Sequence, residues 1–227
     1  MRFLVRWCFR LLVLGLVAIT ALVLTKDLLL REWLMAHSQA ETGLETRIGR
    51  ARLGVLHPTL TLENVRFYNP PEFGGAPFLD VAECHFQYDP RALIEGRVRL
   101  PFVRFHLAEA TLVETPGGMS NLEAIYRRLR QRAAASGPPR FHYGGIDVLN
   151  LSLGRLRRVN LGQPAQTTVI DLGVRNEVLT RLNTEAQLGL ALGQLAVRVG
   201  LEQWTRSLQG IRPAPTPPGS TPVKPAR

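Results

Sequence analysis

Cysteine, lysine and paired histidines are nearly missing from this chain, and each shortage removes a class of function. The two cysteines are Cys8, in an N-terminal apolar run, and Cys84, in a strand-like segment far from it. They make no disulfide framework and no Cys-x-x-Cys pair, so a zinc or dithiol redox site has no residues to use. The five histidines, His37, His57, His85, His106 and His142, fall in no ligand spacing, and neither a metal nor a cofactor is expected. His85 and His106 occupy the polar positions of predicted strands. No Gly-x-Ser-x-Gly elbow occurs, and no glycine loop ending in Lys-Ser or Lys-Thr. Asp80 and Glu83 lie three apart on a predicted strand and so face opposite sides, while Asp147 and Asp171 are lone acids in apolar runs. No acid–base pair is assembled, and the chain reads as a non-enzyme.

The net charge of +10 is carried by arginine, because Lys26 and Lys224 are the only lysines. The arginines are scattered and alternate with apolar residues, as in Arg97-Val98-Arg99-Leu100, rather than gathered into one patch with stacking aromatics. Nucleic acid is therefore not expected as a partner. Anionic lipid headgroups attract such a surface equally well.

Leu11 to Thr25 contains no charge, and extending it back to Trp7 gives nineteen residues with Arg10 inside. About twenty residues cross the hydrocarbon layer, so 7–25 is read as a transmembrane anchor. Arg2, Arg6 and Arg10 precede it, whereas Lys26 and Arg31 are offset by Asp27 and Glu32, which leaves residues 1–6 cytoplasmic and sends the body across. The rival is a cleaved signal peptide. Against it, the run leads into Lys26-Asp27-Leu28-Leu29-Leu30-Arg31-Glu32-Trp33-Leu34, which continues as a helix over 26–41 instead of opening into an extended chain.

After Gly43 the period becomes that of strands. Strands are expected at 45–56, 59–68, 78–88, 140–160 and 166–175, with a long strand-pair region at 97–115 and with Ala82, Cys84, Phe86 and Tyr88 on one face of the third. The apolar phase slips by one residue at Glu63-Asn64 and again beside Pro101, which reads as bends that keep one apolar face on a curved sheet. Asp89-Pro90-Arg91 is a helical start. Ser120-Asn121-Leu122-Glu123 fits a capping box for a helix with Leu122, Ile125, Tyr126 and Leu129 as its stripe and Arg127, Arg128, Arg130 and Arg132 facing out. The preceding Gly117-Gly118 is read as a turn feeding that cap rather than an anion site. A second helix over 184–208 is weakened by Gly189, Gly193 and Gly200, and the proline-rich tail, 209–227, is expected to be disordered. The fold class is α+β, mainly β: an anchor helix, then a twisted antiparallel sheet with one or two packed helices over 44–208.

Several short segments, in order, resemble the N-terminal region of the AsmA family of bacterial envelope proteins. They are Thr42-Gly43, Leu60-Thr61-Leu62-Glu63-Asn64-Val65, Asn69-Pro70 with Phe73, Pro77-Phe78-Leu79, Ala92-Leu93 before Gly96, and Gly117-Gly118 leading to Ser120-Asn121-Leu122. The resemblance covers about residues 1–130 by its motifs and 140–208 only in general character. It implies an inner-membrane protein of the Gram-negative envelope with a periplasmic body, relatives in TamB and the chorein family, and a twisted sheet whose apolar groove carries phospholipid. Strand parity nominates Leu60, Leu62, Val65, Phe67, Phe86, Tyr88, Val103, Phe105 and Leu107 as groove residues. The expected partners are membrane phospholipid and other envelope proteins. The resemblance supplies no catalytic residue. Long members bridge membranes, but roughly 170 exported residues in about eight strands would stack to only ~40 Å. The readings are a lipid-binding module near the inner membrane, or a scaffold or assembly partner of a larger envelope complex whose apolar face is filled by its own helices, and they differ in whether those helices close the sheet.

Overall fold

The computed structural model describes residues 25–54, 57–135, 141–163 and 167–210. The expected anchor and proline-rich tail lie outside the described residues except at their inner ends. Among the described residues no helix is long and apolar enough to cross a membrane.

Helix α1 (25–42) leads into one six-stranded sheet in which the strands stand side by side in chain order. The strands are β1 (Thr46–Leu53), β2 (Thr59–Tyr68), β3 (Pro77–Gln87), β4 (Arg97–Glu114), β5 (His142–Asn160) and β6 (Thr168–Leu182). Helix α2 (Pro90–Ile94) joins β3 to β4, α3 (Asn121–Ala135) joins β4 to β5, and α4 (Glu185–Gly210) follows β6. Asp89 caps α2 by accepting from the backbone N–H groups of Arg91 and Ala92. Four pairings are antiparallel, as expected, but β4 and β5 run parallel, from Arg97↔His142 to Glu114↔Asn160. This corrects the all-antiparallel expectation. A parallel pair needs a long crossover instead of a tight turn, and the 115–141 connection with α3 inside it supplies one. Among the described residues there are six strands rather than about eight, 97–115 being one strand instead of a pair, and β6 runs on to Leu182 rather than 175.

The strands step in phase, and the steps line up across the sheet. Leu62 and Val65, three apart on β2, pair with Ala51 and Ile48 on β1 and with Cys84 and Val81 on β3. Side chains alternate strictly along a regular strand, so a three-residue step needs an irregular residue. On β2 it is Asn64, with φ 54, a conformation asparagine tolerates better than most residues. On β3 the step puts Val81, not the expected Ala82, in the core: Val81 is 2% exposed. A second line crosses the far half, where Leu100 and Val103 pair with Ile146 and Leu149, which pair in turn with Leu182 and Leu179. Here Pro101 sits in the step on β4 and Arg181, with φ 59, in the step on β6. The consequence is a bent sheet with one continuous apolar face.

Two helices cover that face. Leu30, Leu34 and Met35 of α1 pack on the buried cluster of Ile48, Ala51, Val65, Val81 and Cys84. Helix α1 is also tied to β1. Lys26 Nζ donates to the Leu53 carbonyl at 2.6 Å, and Asp27 Oδ1 accepts from the Leu53 N–H at 3.0 Å. Arg31 Nε donates to the Ile48 carbonyl at 2.7 Å. The far half, β4 to β6, is covered by α4 through Leu188, Ala191, Leu195 and Val199.

Beyond the end of β2, strand β4 is tied by a side chain. Asn121 is fully buried. Its Oδ1 accepts from the N–H groups of Val113 and Leu122, and its Nδ2 donates to the Thr111 carbonyl and Asn69 Oδ1, all at 2.8–3.0 Å. All of the amide's hydrogen-bonding positions are thus used. Ser120 Oγ accepts from the Glu123 N–H, but the Glu123 carboxylate pairs forward with Arg127, so only half of the expected capping box forms. The α3 stripe is also only partly used, since Ile125 is buried while Leu122 and Tyr126 are exposed. Of its arginines, Arg128 pairs with Glu72 and Arg132 reaches the Ala40 carbonyl. Asn121→Ala is expected to destabilise the fold by roughly 3 kcal/mol, because buried backbone partners lose their bonds. Leu122→Ala should cost well under half of that, and the denaturant midpoints of the two variants check it.

Candidate functional site: an apolar cleft beneath α4

Helix α4 starts where its sequence directs. Gln187 Oε1 accepts from the N–H groups of Asn183 and Thr184, and Thr184 Oγ1 accepts from the Gln187 N–H, a reciprocal Thr-x-x-Gln cap. The turn before it is held by Tyr143, whose hydroxyl donates to the Leu182 carbonyl at 2.6 Å. Farther along, Arg198 pairs with Glu177 of β6 at 2.6 Å. Leu188, Leu192, Leu195, Ala196 and Val199 recur at helical spacing and look onto the sheet.

Between helix and sheet lies a cavity of about 680 Å³. Its floor is Val103 and Phe105 of β4, Ile146, Leu149, Leu151, Leu153 and Leu156 of β5, and Ile170 and Leu172 of β6. Its roof is the inner face of α4 as far as Gly200. Ala196 and Gly200, both small and exposed, are part of that roof. A side chain at Gly200 would meet nothing within 4 Å of its Cβ. Every residue of the lining is apolar, and the Arg198–Glu177 pair lies outside it. Such a surface matches hydrocarbon in chemistry and has no side-chain donor or acceptor for a polar ligand or for proton transfer.

The nine residues nominated by parity do not form one groove. Val103 and Phe105 line the cavity. Leu62, Val65, Phe67 and Leu107 belong to the cluster beneath α1. Phe86 packs against that cluster and also against the one around Val103, at the seam between the two covered halves. Leu60 pairs with Leu53 and Phe86, and Tyr88 follows the end of β3; both are half-buried. The lining that parity missed comes mainly from β5, where the alternation Leu149, Leu151, Leu153 was its available signal.

The opposite face is crossed by ion pairs: Glu63 with Arg50 and Arg52, Asp80 with Arg66, and Glu109 with Arg155 and Arg157. The hydrogen bond from Arg157 Nε, at 2.8 Å, together with the charges of Arg157 and Arg155, holds the Glu109 carboxyl below its usual range against the opposing effect of burial. His85 Nδ1 and Thr61 Oγ1 share a hydrogen bond at 2.7 Å. Among the described residues no group of histidine, cysteine and carboxylate side chains could hold a metal ion. No family model, curated protein or solved structure matches the chain.

Cys84 lies at the centre of the α1-covered cluster, and burial, with the Glu83 charge nearby, pushes its thiol up to about 12. A thiol held protonated in this way is a poor nucleophile. In a Cys8→Ser background, iodoacetamide at pH 8 is expected to leave Cys84 unmodified in the folded chain and to alkylate it in denaturant. Because the folded value lies above the unfolded one, the thiol's contribution to stability is complete below pH 9 and is lost as pH rises towards about 12. Cys84→Ala should flatten that part of the stability profile.

Proposed function

We propose that this chain is a membrane-anchored lipid-binding module of AsmA-like type, and that its lipid site is the cavity beneath α4. The supporting observation is that α4 covers the β4–β6 half of the apolar face without filling it, leaving about 680 Å³ lined only by apolar side chains. This lies within the usual range for a ligand pocket and is far larger than the voids of a packed core. Acyl chains of membrane phospholipid match such a lining in chemistry.

The anchor reading of 7–25 belongs to the same proposal. Helix α1, which would continue from the anchor, is tied to β1 at Lys26 and Asp27. The body would then stand on the outer side of the inner membrane, in the periplasm, with its sheet joined to the span. Six strands stack to only about 29 Å, too little to cross an envelope alone. The module would take up or hand on lipid locally, with other envelope proteins completing any longer route.

The scaffold reading is favoured by the other half of the sheet, where α1 packs on five buried residues as an ordinary core. The two readings separate at α4. Lipid extraction and mass spectrometry of the purified full chain should find lipid in near-stoichiometric amount. Ala196→Trp, which fills the cavity, should lower it at least tenfold with the circular dichroism spectrum unchanged. Leu190→Trp, on the outer side of α4, should leave it intact. A lipid-free chain that binds none on addition would leave the scaffold reading.

A further inference from the structure

We infer that the end of the sheet bearing α2 is a bilayer-docking surface, at which Leu93, Ile94 and Phe141 enter the headgroup layer of the membrane that holds the anchor. This rests on the anchor reading of 7–25 and adds to it the way the body faces the membrane.

Strand pairing fixes which residues share that end. Leu53, Leu60, Phe86 and Val103 form one row across β1 to β4. Strand β4 continues beyond the row, from Val103 back to Arg97, ~20 Å of strand. Arg97 pairs with His142, the first residue of β5. Helix α2 closes this extension. The Asp89 N–H donates to the Arg99 carbonyl, and the His142 N–H donates to the Gly96 carbonyl at 2.8 Å. Phe141 is thereby held beside the turn that ends α2. Helix α1 starts at the same end: Lys26 and Asp27 both bond to Leu53, and the helix then runs along β1 past Ile48 towards Thr46. The chain before residue 25, read as the anchor, therefore meets the body here.

The tip exposes apolar side chains to water. Helix α2 buries only Ala92. Ile94 is 88% exposed, more than any other large apolar side chain among the described residues, and Leu93 and Phe141 are exposed beside it. Leu28 and Leu29, in the first turns of α1, are exposed as well. An apolar patch of this kind marks a contact surface. A bilayer is the occupant its position selects, because a chain held by a span that ends at residue 25 keeps this end against the membrane. Charge does not select it. Arg97 pairs with Glu95 and Arg99 with Asp147, while Asp89, the cap of α2, offsets Arg91. The contact is therefore apolar insertion into the headgroup layer rather than attraction to anionic lipid, and salt should not weaken it. Docked in this way, the end of the cleft lined by Val103 and Ile146 is the end nearest the bilayer.

The test is electron paramagnetic resonance of the full chain in phosphatidylcholine vesicles, in a Cys8→Ser background where the remaining Cys84 is buried. One nitroxide at a time is attached through Arg91→Cys on α2, Met119→Cys at the opposite end of the sheet, or Val17→Cys in the run read as the anchor. The readout is the ratio of collisions with oxygen, which partitions into lipid, to collisions with a water-soluble nickel chelate. The expected ratio at 91 is about threefold that at 119 or more, and it holds from about 0.05 to 0.5 M salt. Ile94→Asp with Phe141→Asp should lower it to the value at 119 and, since both side chains are exposed, leave the circular dichroism spectrum unchanged. A ratio at 91 equal to that at 119, with a lipid-like ratio at 17, would overturn the docking surface and leave the anchor standing. A ratio that salt abolishes, or that survives the double substitution, would overturn the apolar contact. Dipolar broadening between labels at 91 without lipid contact would assign the tip to a second copy of the chain and overturn the proposal. Water-like ratios at both 17 and 91 would overturn the anchor reading and the docking surface together.

Discussion

A single sheet with one apolar face must find something to cover that face, and among the described residues no second sheet does so. The rest of the architecture follows from that constraint. Helix α1 meets it on β1 to β3 as a packed core, with Leu30, Leu34 and Met35 seated on Ile48, Val65 and Val81. Helix α4 meets it on β4 to β6 differently. Its Leu188 and Leu195 pack on the clusters around Leu182 and Leu151, and an apolar cleft remains beside them. The same apolar face is thus a core on one side and a cavity on the other. Phe86 and Phe105, each packed against both regions, mark the boundary.

The bends in the sheet serve the same constraint. A flat strand pair that lost phase would turn half of its apolar residues to water. Here the steps occur on neighbouring strands at paired positions, as at Leu62–Val65 opposite Val81–Cys84. The face therefore stays continuous while the sheet bends. The opposite face carries ion pairs such as Arg66–Asp80 and Arg157–Glu109, beside an apolar patch at Phe73 and Val113. Most of these arginines are half-exposed, and individually such pairs contribute little to stability.

Much of this was legible in the sequence, and what was not has a physical reason. The slips at Glu63-Asn64 and Pro101 were visible because asparagine and proline interrupt the alternation. The slip on β3 was hidden because Ala82 is itself apolar and continues a false alternation with Cys84. Asn69 and Asn121 stood out as parts of a family-like pattern, but only the fold brings them into one hydrogen bond, at 2.8 Å across fifty-two residues of chain. The parallel pairing of β4 and β5 could not be read from strand patterns, since both directions use the same alternation. The cavity was least legible of all. It lies between one helix and three strands, and the one-dimensional pattern of α4 is that of any helix packed on a sheet. Parity accordingly spread the candidate site over β2 to β4, of which only Val103 and Phe105 line the cavity.

The central claim is that the space beneath α4 is a hydrocarbon site and not a void that closes in solution. Photo-crosslinking the full chain with a palmitate carrying a diazirine near its methyl end, followed by peptide mapping, tests it most directly. The account predicts that label concentrates on β5 and α4, between Leu149 and Leu156 and between Leu188 and Gly200, and that excess unlabelled palmitate suppresses it. Label confined to α1 and β1 to β3, or spread evenly over the exposed surface, would contradict it.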